Sequence, residues 1–265
     1  MLAAMSAAEI AIANIYRHPV KSLTPEALAH TSLTPGKALP NDRRFALTLG
    51  STPTDGTISE WMPKTKFVAL MRSEKLAQLE TQFDDATDTL TVLRGGRQVA
   101  RGRLTDRIGR ATIEEFFAAF LGEEAKGRPR VVEAAGEHVL SDHANPVLSL
   151  LNLASVADLE RVTKKPVDPL RFRANFWLSG LAPWAEFDWI GREVTVGGVK
   201  LAITARIDRC AATNVNPETA ERDLNIPKSL QMGFGHVDMG VYGRVLEGGD
   251  VHVGDDVTVG GPVTL

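Results

Sequence analysis

The side chains best suited to chemistry gather in a few short segments. Cys210 is the single cysteine in 265 residues and lies in Ile207-Asp208-Arg209-Cys210-Ala211-Ala212-Thr213-Asn214-Val215-Asn216-Pro217, just past a strand-like run. Thiolate is the form of cysteine that binds soft metals or acts as a nucleophile, and an adjacent guanidinium favours it. Arg209 therefore promotes thiolate at Cys210, and Asp208 opposes it. One thiol cannot make an intramolecular disulfide, a four-cysteine zinc site or an iron–sulfur cluster, each of which takes several thiolates. Free cysteine is also often buried as a small hydrophobe. The residues alone leave both readings of Cys210 open.

Basic and hydroxyl residues recur beside extended segments: Lys21-Ser22 after Pro19-Val20, Asp42-Arg43-Arg44, Arg171-Phe172-Arg173-Ala174-Asn175, and Arg209. Arginine forks match phosphate oxygens in a bidentate way, while lysine, serine and backbone amides complete an anion cradle. Singly each is a surface charge, and they form a site only if the fold brings them around Cys210. Two other polar concentrations read as solvated. His138 and His143 flank Asp142 in HVLSDH, but a spacing of five puts the two imidazoles on different sides of a helix or strand, which favours a loop over a metal site. Arg94, Arg97, Arg101, Arg103, Arg107 and Arg110 read as a solvated hairpin face rather than a docking surface for an acidic partner. No Gly-x-Gly-x-x-Gly, P-loop, Gly-x-Ser-x-Gly or His-Glu-x-x-His is present, which weakens nucleotide and hydrolase readings.

The elements that must position these residues are mostly short strands. Period-2 alternation marks Glu9 to Tyr16, with Ile10, Ile12 and Asn14 on one side, then Ala27 to Leu33 and Arg43 to Leu49. Phe67 to Leu79 fits either a short helix or a strand. Leu76 to Phe83, Thr89 to Arg94 and Gln98 to Leu104 read as consecutive strands, the last two joined by a Gly95-Gly96 hairpin turn. Thr112-Ile113-Glu114-Glu115 has the form of a capping box and predicts an amphipathic helix that stops at Gly122. Ser155-Val156-Ala157-Asp158 starts a second helix. Past Pro169 the pattern returns to strands over Phe172 to Leu178, Glu193 to Val196, Val199 to Ala205, Gly240 to Leu246 and Asp256 to Val259. Gly197-Gly198 and Gly248-Gly249 supply hairpin turns, so this half reads as a largely antiparallel sheet or barrel. The mixed-charge segment Gly122 to Arg130 divides the chain into domains at 9–121 and 122–265.

Composition narrows the function classes. The chain is 43% hydrophobic, and 30 basic against 33 acidic residues give a net charge of −3, without the basic excess of a nucleic-acid binder. Its longest largely apolar run, Val147 to Val156, is about half of the roughly 20 residues a membrane-spanning helix needs and contains Ser149 and Asn152. No membrane association is expected. The opening MLAAMSAAEIAIANIYRH lacks the basic start and unbroken apolar core of a secretory leader, so the expected address is cytoplasmic, and Met5 is a second candidate start.

Taken in order, these segments resemble the MOSC family, named for the C-terminal part of molybdenum cofactor sulfurases. Arg209-Cys210, Thr213 and Asn216-Pro217 are similar to its R-C-x-x-T-x-V-D-P signature, and Arg171 to Asn175 to its R-F-R-P-N strand. Glu186 to Gly191 resembles its acidic-Trp-x-Gly turn, while Gly240-Val241-Tyr242 and Gly248 to Asp255 resemble its closing strands. Tyr16 to Ser22 and Asp42-Arg43-Arg44-Phe45 resemble the Y-P-x-K-S and D-R-R motifs of its N-terminal companion domain. Ala174, Asn216 and Phe187 depart from the family's proline, aspartate and acidic residue.

The resemblance implies an α+β, predominantly β, two-domain fold, with a β-barrel-like N-terminal domain, a C-terminal antiparallel β-barrel and a few short helices. In amidoxime-reducing relatives the matching cysteine holds the molybdenum of a molybdopterin cofactor. Carried over, Cys210 is the metal ligand and catalytic residue. Lys21, Ser22, Arg43, Arg173 and Arg209 would hold the pterin and its terminal phosphate, joined by Asn175, with Asp208 and Thr213 lining the site. The implied activity is reduction of a small N-hydroxylated substrate, a hydroxylamine or an amidoxime. With one cysteine the chain has no place for the 2Fe-2S cluster of many bacterial relatives. Electrons are therefore expected from an external protein, a ferredoxin, a flavodoxin or a cytochrome b5-like protein with its reductase. Pyridoxal phosphate is not expected, because the sulfurase part that binds it is absent. The alternative is a carrier of the cofactor, or of sulfur as a Cys210 persulfide, without reductase turnover.

Overall fold

Alternation of apolar side chains in short runs gives strands, and the computed structural model, which describes residues 9–264, is built mainly from them. Residues 1–8, on which the reading of the opening segment partly rests, lie outside the described residues. The fold is α+β and predominantly β, with a β-rich unit in each half of the chain.

The first strands are β1 (Ala11–Arg17), β2 (Glu26–Leu28) and β3 (His30–Leu33). Strand β1 corrects the simple alternation: a register shift between Ile12 and Asn14 inserts a bulge, so the buried pair is Ile12 and Ile15, three residues apart. The expected strand from Ala27 to Leu33 is two strands broken at Ala29, because β2 pairs with β1 and β3 leaves for a different partner. Strands β4 (Phe45–Thr48) and β5 (Thr57–Ile58) both pair with β9 (Arg130–Ala134), antiparallel and parallel respectively. Strands β6 (Leu79–Asp84), β7 (Thr89–Arg94) and β8 (Arg97–Arg103) form the expected meander, and Gly95 and Gly96 both take the positive φ that a tight hairpin turn needs. The stretch from Phe67 to Gln78 is neither strand nor α-helix; it is loop ending in a 3-10 turn, Glu74–Gln78, and strand begins only at Leu79.

Helix α1 (Arg107–Leu121) starts earlier than the capping box implied. Asp106 caps it, accepting from Gly109 N at 2.7 Å, and Thr112 lies inside the helix with its hydroxyl donating to Ile108 O. Ile113, Phe117 and Leu121 face the first-half core with Phe45, Leu47, Leu90 and Val92. Arg110 is not on the solvated arginine face: it bonds Leu104 O, Gly56 O and Glu133.

Beyond these lie β10 (Leu148–Asn152), α2 (Leu153–Thr163), β11 (Phe176–Ser179), β12 (Arg192–Val196), β13 (Val199–Asp208), α3 (Ile226–Phe234), β14 (Asp238–Glu247), β15 (Gly249–His252) and β16 (Val257–Pro262). Asn152, not Ser155, caps α2, since Ser155 is buried and donates to Glu186. The expected strand from Phe172 begins only at Phe176, after a 3-10 turn at Pro169–Phe172 that Asp168 caps. Helix α3, capped by Asn225, went unread in the sequence.

The large sheet runs β16-β12-β13-β14-β10-β11-β1-β2, antiparallel except between β10 and β11. Its order is linear, short of a closed barrel, although Ile12 N donates to Asp255 O at 2.9 Å and Val257 N to Ile10 O at 2.7 Å. Gly248-Gly249 is not a hairpin turn. There the chain leaves β14 so that β15 pairs with β3, and a Cβ on Gly248 would stand 2.4 Å from Leu33 O. Strands from the first 33 residues thus complete the second half: Ile12, Ile15 and Leu33 share a core with Leu150, Phe176 and Leu201.

Candidate functional site

The loops that leave β1, β4's approach, β11's approach and β13 converge on one cavity of about 460 Å3, and all nine residues singled out in the sequence line it: Lys21, Ser22, Arg43, Arg173, Asn175, Asp208, Arg209, Cys210 and Thr213. A bridge between Val20 and Phe45 ties the Lys21 segment to the Arg43 segment, with Lys21 N donating to Phe45 O at 2.8 Å and Arg43 N to His18 O at 2.6 Å. Ser22, Arg43 and Arg173 all take left-handed backbone conformations, φ +67°, +50° and +51°. Such strain in non-glycine residues persists where surrounding structure over-determines it, and it collects at binding sites.

Cys210 is half-buried where β13 ends, ahead of a 3-10 turn at Ala211–Asn214. Thr213 fastens that turn, its hydroxyl donating to Cys210 O at 2.8 Å. Arg171 holds the turn from outside, through Asn214 O at 3.1 Å and a two-pronged pair with Asp223 at 2.7 and 2.9 Å.

The nine residues divide by what their polar atoms already do. Asn175 is spent on Ser149 and Tyr16 O, and Arg209 on Met239 O and Phe172 O, so both act as clamps between strands. Burial lowers the pKa of Arg209 to about 10, partly offset by Tyr242, Cys210 and Asp208. Arg43 pairs with Asp42 and donates to Arg173 O at 2.8 Å. Arg173 differs: among the described residues its guanidinium has no hydrogen-bond partner, and Nη2 is sealed from solvent. Burial first and Arg43 second bring its pKa down to about 9. A buried cation without a partner is costly, and an anion in the cavity removes that cost.

Behind the cradle, His18 is fully buried and bonded to Asp42, through its backbone N at 2.7 Å and Nδ1 at 3.3 Å. Burial, then Arg173 and Arg43, lower the imidazole pKa to about 3, so it is neutral. Asp42 stays ionised well below the usual carboxylate range, because Arg43 and His18 outweigh its burial.

Other lining residues escaped the sequence reading. Asp142, read there as part of a solvated loop, enters the cavity and bonds Lys21 Nζ at 2.6 Å and Lys64 Nζ at 3.3 Å. His143 follows it in, its ring 4.8 Å from that of Tyr242. Lys64, Trp61 and Met71 come from segments without chemical motifs, and only the tertiary fold brings them here. Burial opposes the charge on Lys64, yet Asp142 and then Cys210 outweigh it and hold its pKa above the ordinary lysine value. Six cationic side chains, Lys21, Arg43, Lys64, Arg171, Arg173 and Arg209, line the cavity against two carboxylates, Asp142 and Asp208. Among the described residues no three His, Cys, Asp or Glu side chains converge on a metal position. The cationic side chains of this lining suit an anionic ligand.

Two family models match the chain in succession: the MOSC N-terminal beta barrel domain over residues 9–140 and the MOSC domain over residues 137–258. Mitochondrial amidoxime-reducing component 1 of Mus musculus is 31% identical over 153 residues, 53% of this chain and 44% of that protein. Its Homo sapiens counterpart is 32% identical over 120 residues, 41% of this chain and 35% of that protein. The match thus spans less than half the length of these relatives. Among solved structures, the YUAD protein of Bacillus subtilis aligns over 94% of both chains at 14% identity and a TM-score of 0.45. Among the described residues no helix is long and apolar enough to cross a membrane.

Proposed function

Since the chain belongs to the MOSC family, carrying that domain behind its N-terminal beta barrel companion, we propose that it binds a molybdenum cofactor of the molybdopterin type and reduces N-hydroxylated compounds to amines or amidines. The observation that carries this reading is Cys210 in a cavity whose lining carries six cationic side chains, among them Arg173, which has no hydrogen-bond partner among the described residues. When bound, the cofactor supplies the two-electron chemistry that turns N–OH into N–H and water with uptake of two protons. Every other contribution comes from the chain. Cys210 offers one soft thiolate to the metal. Lys21, Ser22, Arg43 and Arg173 take the phosphate and pterin oxygens, while Arg209, Asn175 and Thr213 fix the loops that carry them. Asp208 and Tyr242 line the same space. The one cysteine in these 265 residues leaves the electrons to come from outside them, from an electron-transfer protein or domain. The names of the amidoxime-reducing relatives support the substrate class.

The test is expression in a host competent for molybdopterin synthesis, followed by metal analysis, pterin analysis and turnover of an amidoxime with a supplied reductant. Wild type should retain near-stoichiometric molybdenum. Cys210→Ser, with an unchanged urea midpoint, should lose at least tenfold in metal content and all measurable reduction. Folded wild-type protein holding neither molybdenum nor pterin sinks the proposal. Bound cofactor without turnover under any donor points instead to a carrier.

A further inference from the structure

The cradle is not empty of negative charge: it contains a carboxylate of its own. Lys21 is nearly fully buried, and its ammonium is held by Leu140 O at 2.9 Å and Asp142 Oδ1 at 2.6 Å. Asp142 differs from the other acids around the site. Asp42 is buried on Arg43, whereas the Asp142 side chain stays 43% exposed on a segment, Ala135 to Pro146, without helix or strand. Its second oxygen faces Lys64 at 3.3 Å, so one carboxylate spans two ammonium groups, and Lys64 in turn stands beside Cys210. Arg173, on the same cavity, has no hydrogen-bond partner among the described residues, although Asp42 and Asp142 lie near enough to favour its charge. The internal carboxylate thus bonds the lysine of the cradle directly and its arginine only at a distance.

The geometry points to Asp142 as the residue that sets the selectivity of the cradle: an anion that engages Lys21 must take it from Asp142, which Lys64 then retains, so that a dianion such as a phosphate monoester, able to bridge Lys21 and Arg173, gains more by the exchange than a monoanion does. This rests on the reading of the cradle as an anion site. A monoanion that takes Lys21 from Asp142 only exchanges one ion pair on that ammonium for another, while the displaced carboxylate stays at the wall. A dianion reaches Arg173 as well, and so gains a second pairing in a cavity lined by six cationic side chains. Lys64 keeps the released carboxylate at the wall, which limits the cost of the exchange.

The experiment is calorimetric titration of the apoprotein at pH 8 and fixed ionic strength with inorganic phosphate and, separately, acetate. Wild type should bind phosphate at least a hundredfold more tightly than acetate. Asp142→Asn should tighten acetate at least tenfold and phosphate no more than about threefold, so the preference collapses. Glu137→Gln removes a charge from the same irregular segment at its exposed pair with Lys37, outside the cavity, and should leave the preference within twofold of wild type. Asp142→Glu, which keeps the carboxylate, should also leave it within about threefold, and this stands in if the Asn variant fails to fold. An Asp142→Asn protein that weakens both anions, or shifts both alike, overturns the displacement while leaving the cradle intact. No saturable phosphate binding by wild type overturns the cradle reading itself, whatever the outcome of the molybdenum test.

Discussion

Arg173 carries a buried charge with no hydrogen-bond partner among the described residues, and Lys21 one paired with Asp142 at 2.6 Å. The first is a stability cost. Arg173→Met should therefore stabilise the apoprotein, by about 1–3 kcal/mol in urea unfolding without phosphate, while weakening phosphate binding at least tenfold. His18 supplies a pH dependence of a different sign from the usual histidine gaining a partner. Its folded pKa lies near 3, below the unfolded value of about 6.5. Between these limits the unfolded chain binds the extra proton, so stability is whole above pH 6.5 and falls as pH drops toward 3, by at most about 1.4 kcal/mol per pH unit. Urea midpoints from pH 7.5 to 4.5 should show this slope, and His18→Asn, whose amide can donate to Asp42, should flatten it. At this scale the sequence was informative where residue type declares chemistry, as at Cys210 and the arginines. It gave no sign of Lys64 and assigned Asp142 to a solvated loop, because both enter the cavity only where β13 and two irregular segments meet.

Elements were legible wherever local patterning decides them, as in the β6-β7-β8 meander with its glycine turn. Their ends were not, because several polar residues compete to cap and packing chooses among them. Thr112 and Ser155 both have the right type at the right spacing, but Asp106 and Asn152 do the capping. Asp106→Ala should cost about 1 kcal/mol, and Thr112→Ala less than about 0.5 kcal/mol, both read from urea midpoints. The meander and α1 also meet through glycines with no room for a side chain: a Cβ on Gly109 would lie 2.2 Å from Arg103 O, and one on Gly102 2.3 Å from Gly109 O. Gly109→Ala should cost about 1–3 kcal/mol and shift helix against strand. A bulge is the subtler case. Nothing in Ile10-Ala11-Ile12-Ala13-Asn14-Ile15 announces the extra residue that turns Ile15 inward, since it is fixed by pairing with β11.

At the scale of the molecule, the antiparallel character of the second half was readable and the membership of its sheet was not. Strands β1 and β2 extend it beyond β11, and β3 joins β15, pairings that span more than 140 residues and leave no mark on neighbouring sequence. A fragment from residue 137 onward, the span of the C-terminal family model, therefore lacks the strands that carry Ile12, Ile15 and Leu33 into its core. It should give no cooperative unfolding transition, whereas supplying residues 9–36 on the same chain through a flexible linker after β16 should restore one, monitored by tryptophan fluorescence.

The same interlock orders events in time. His30 pairs with His252, so at about 5–20 residues per second of synthesis β3 waits roughly 10–45 s for its partner. Lys21 emerges from the ribosome early and Cys210 late, and the cradle they share cannot exist in the interval. Whatever fills it meets a chain already made past Tyr242, and the newborn chain must meanwhile keep an unpaired β3 from finding a neighbour's edge.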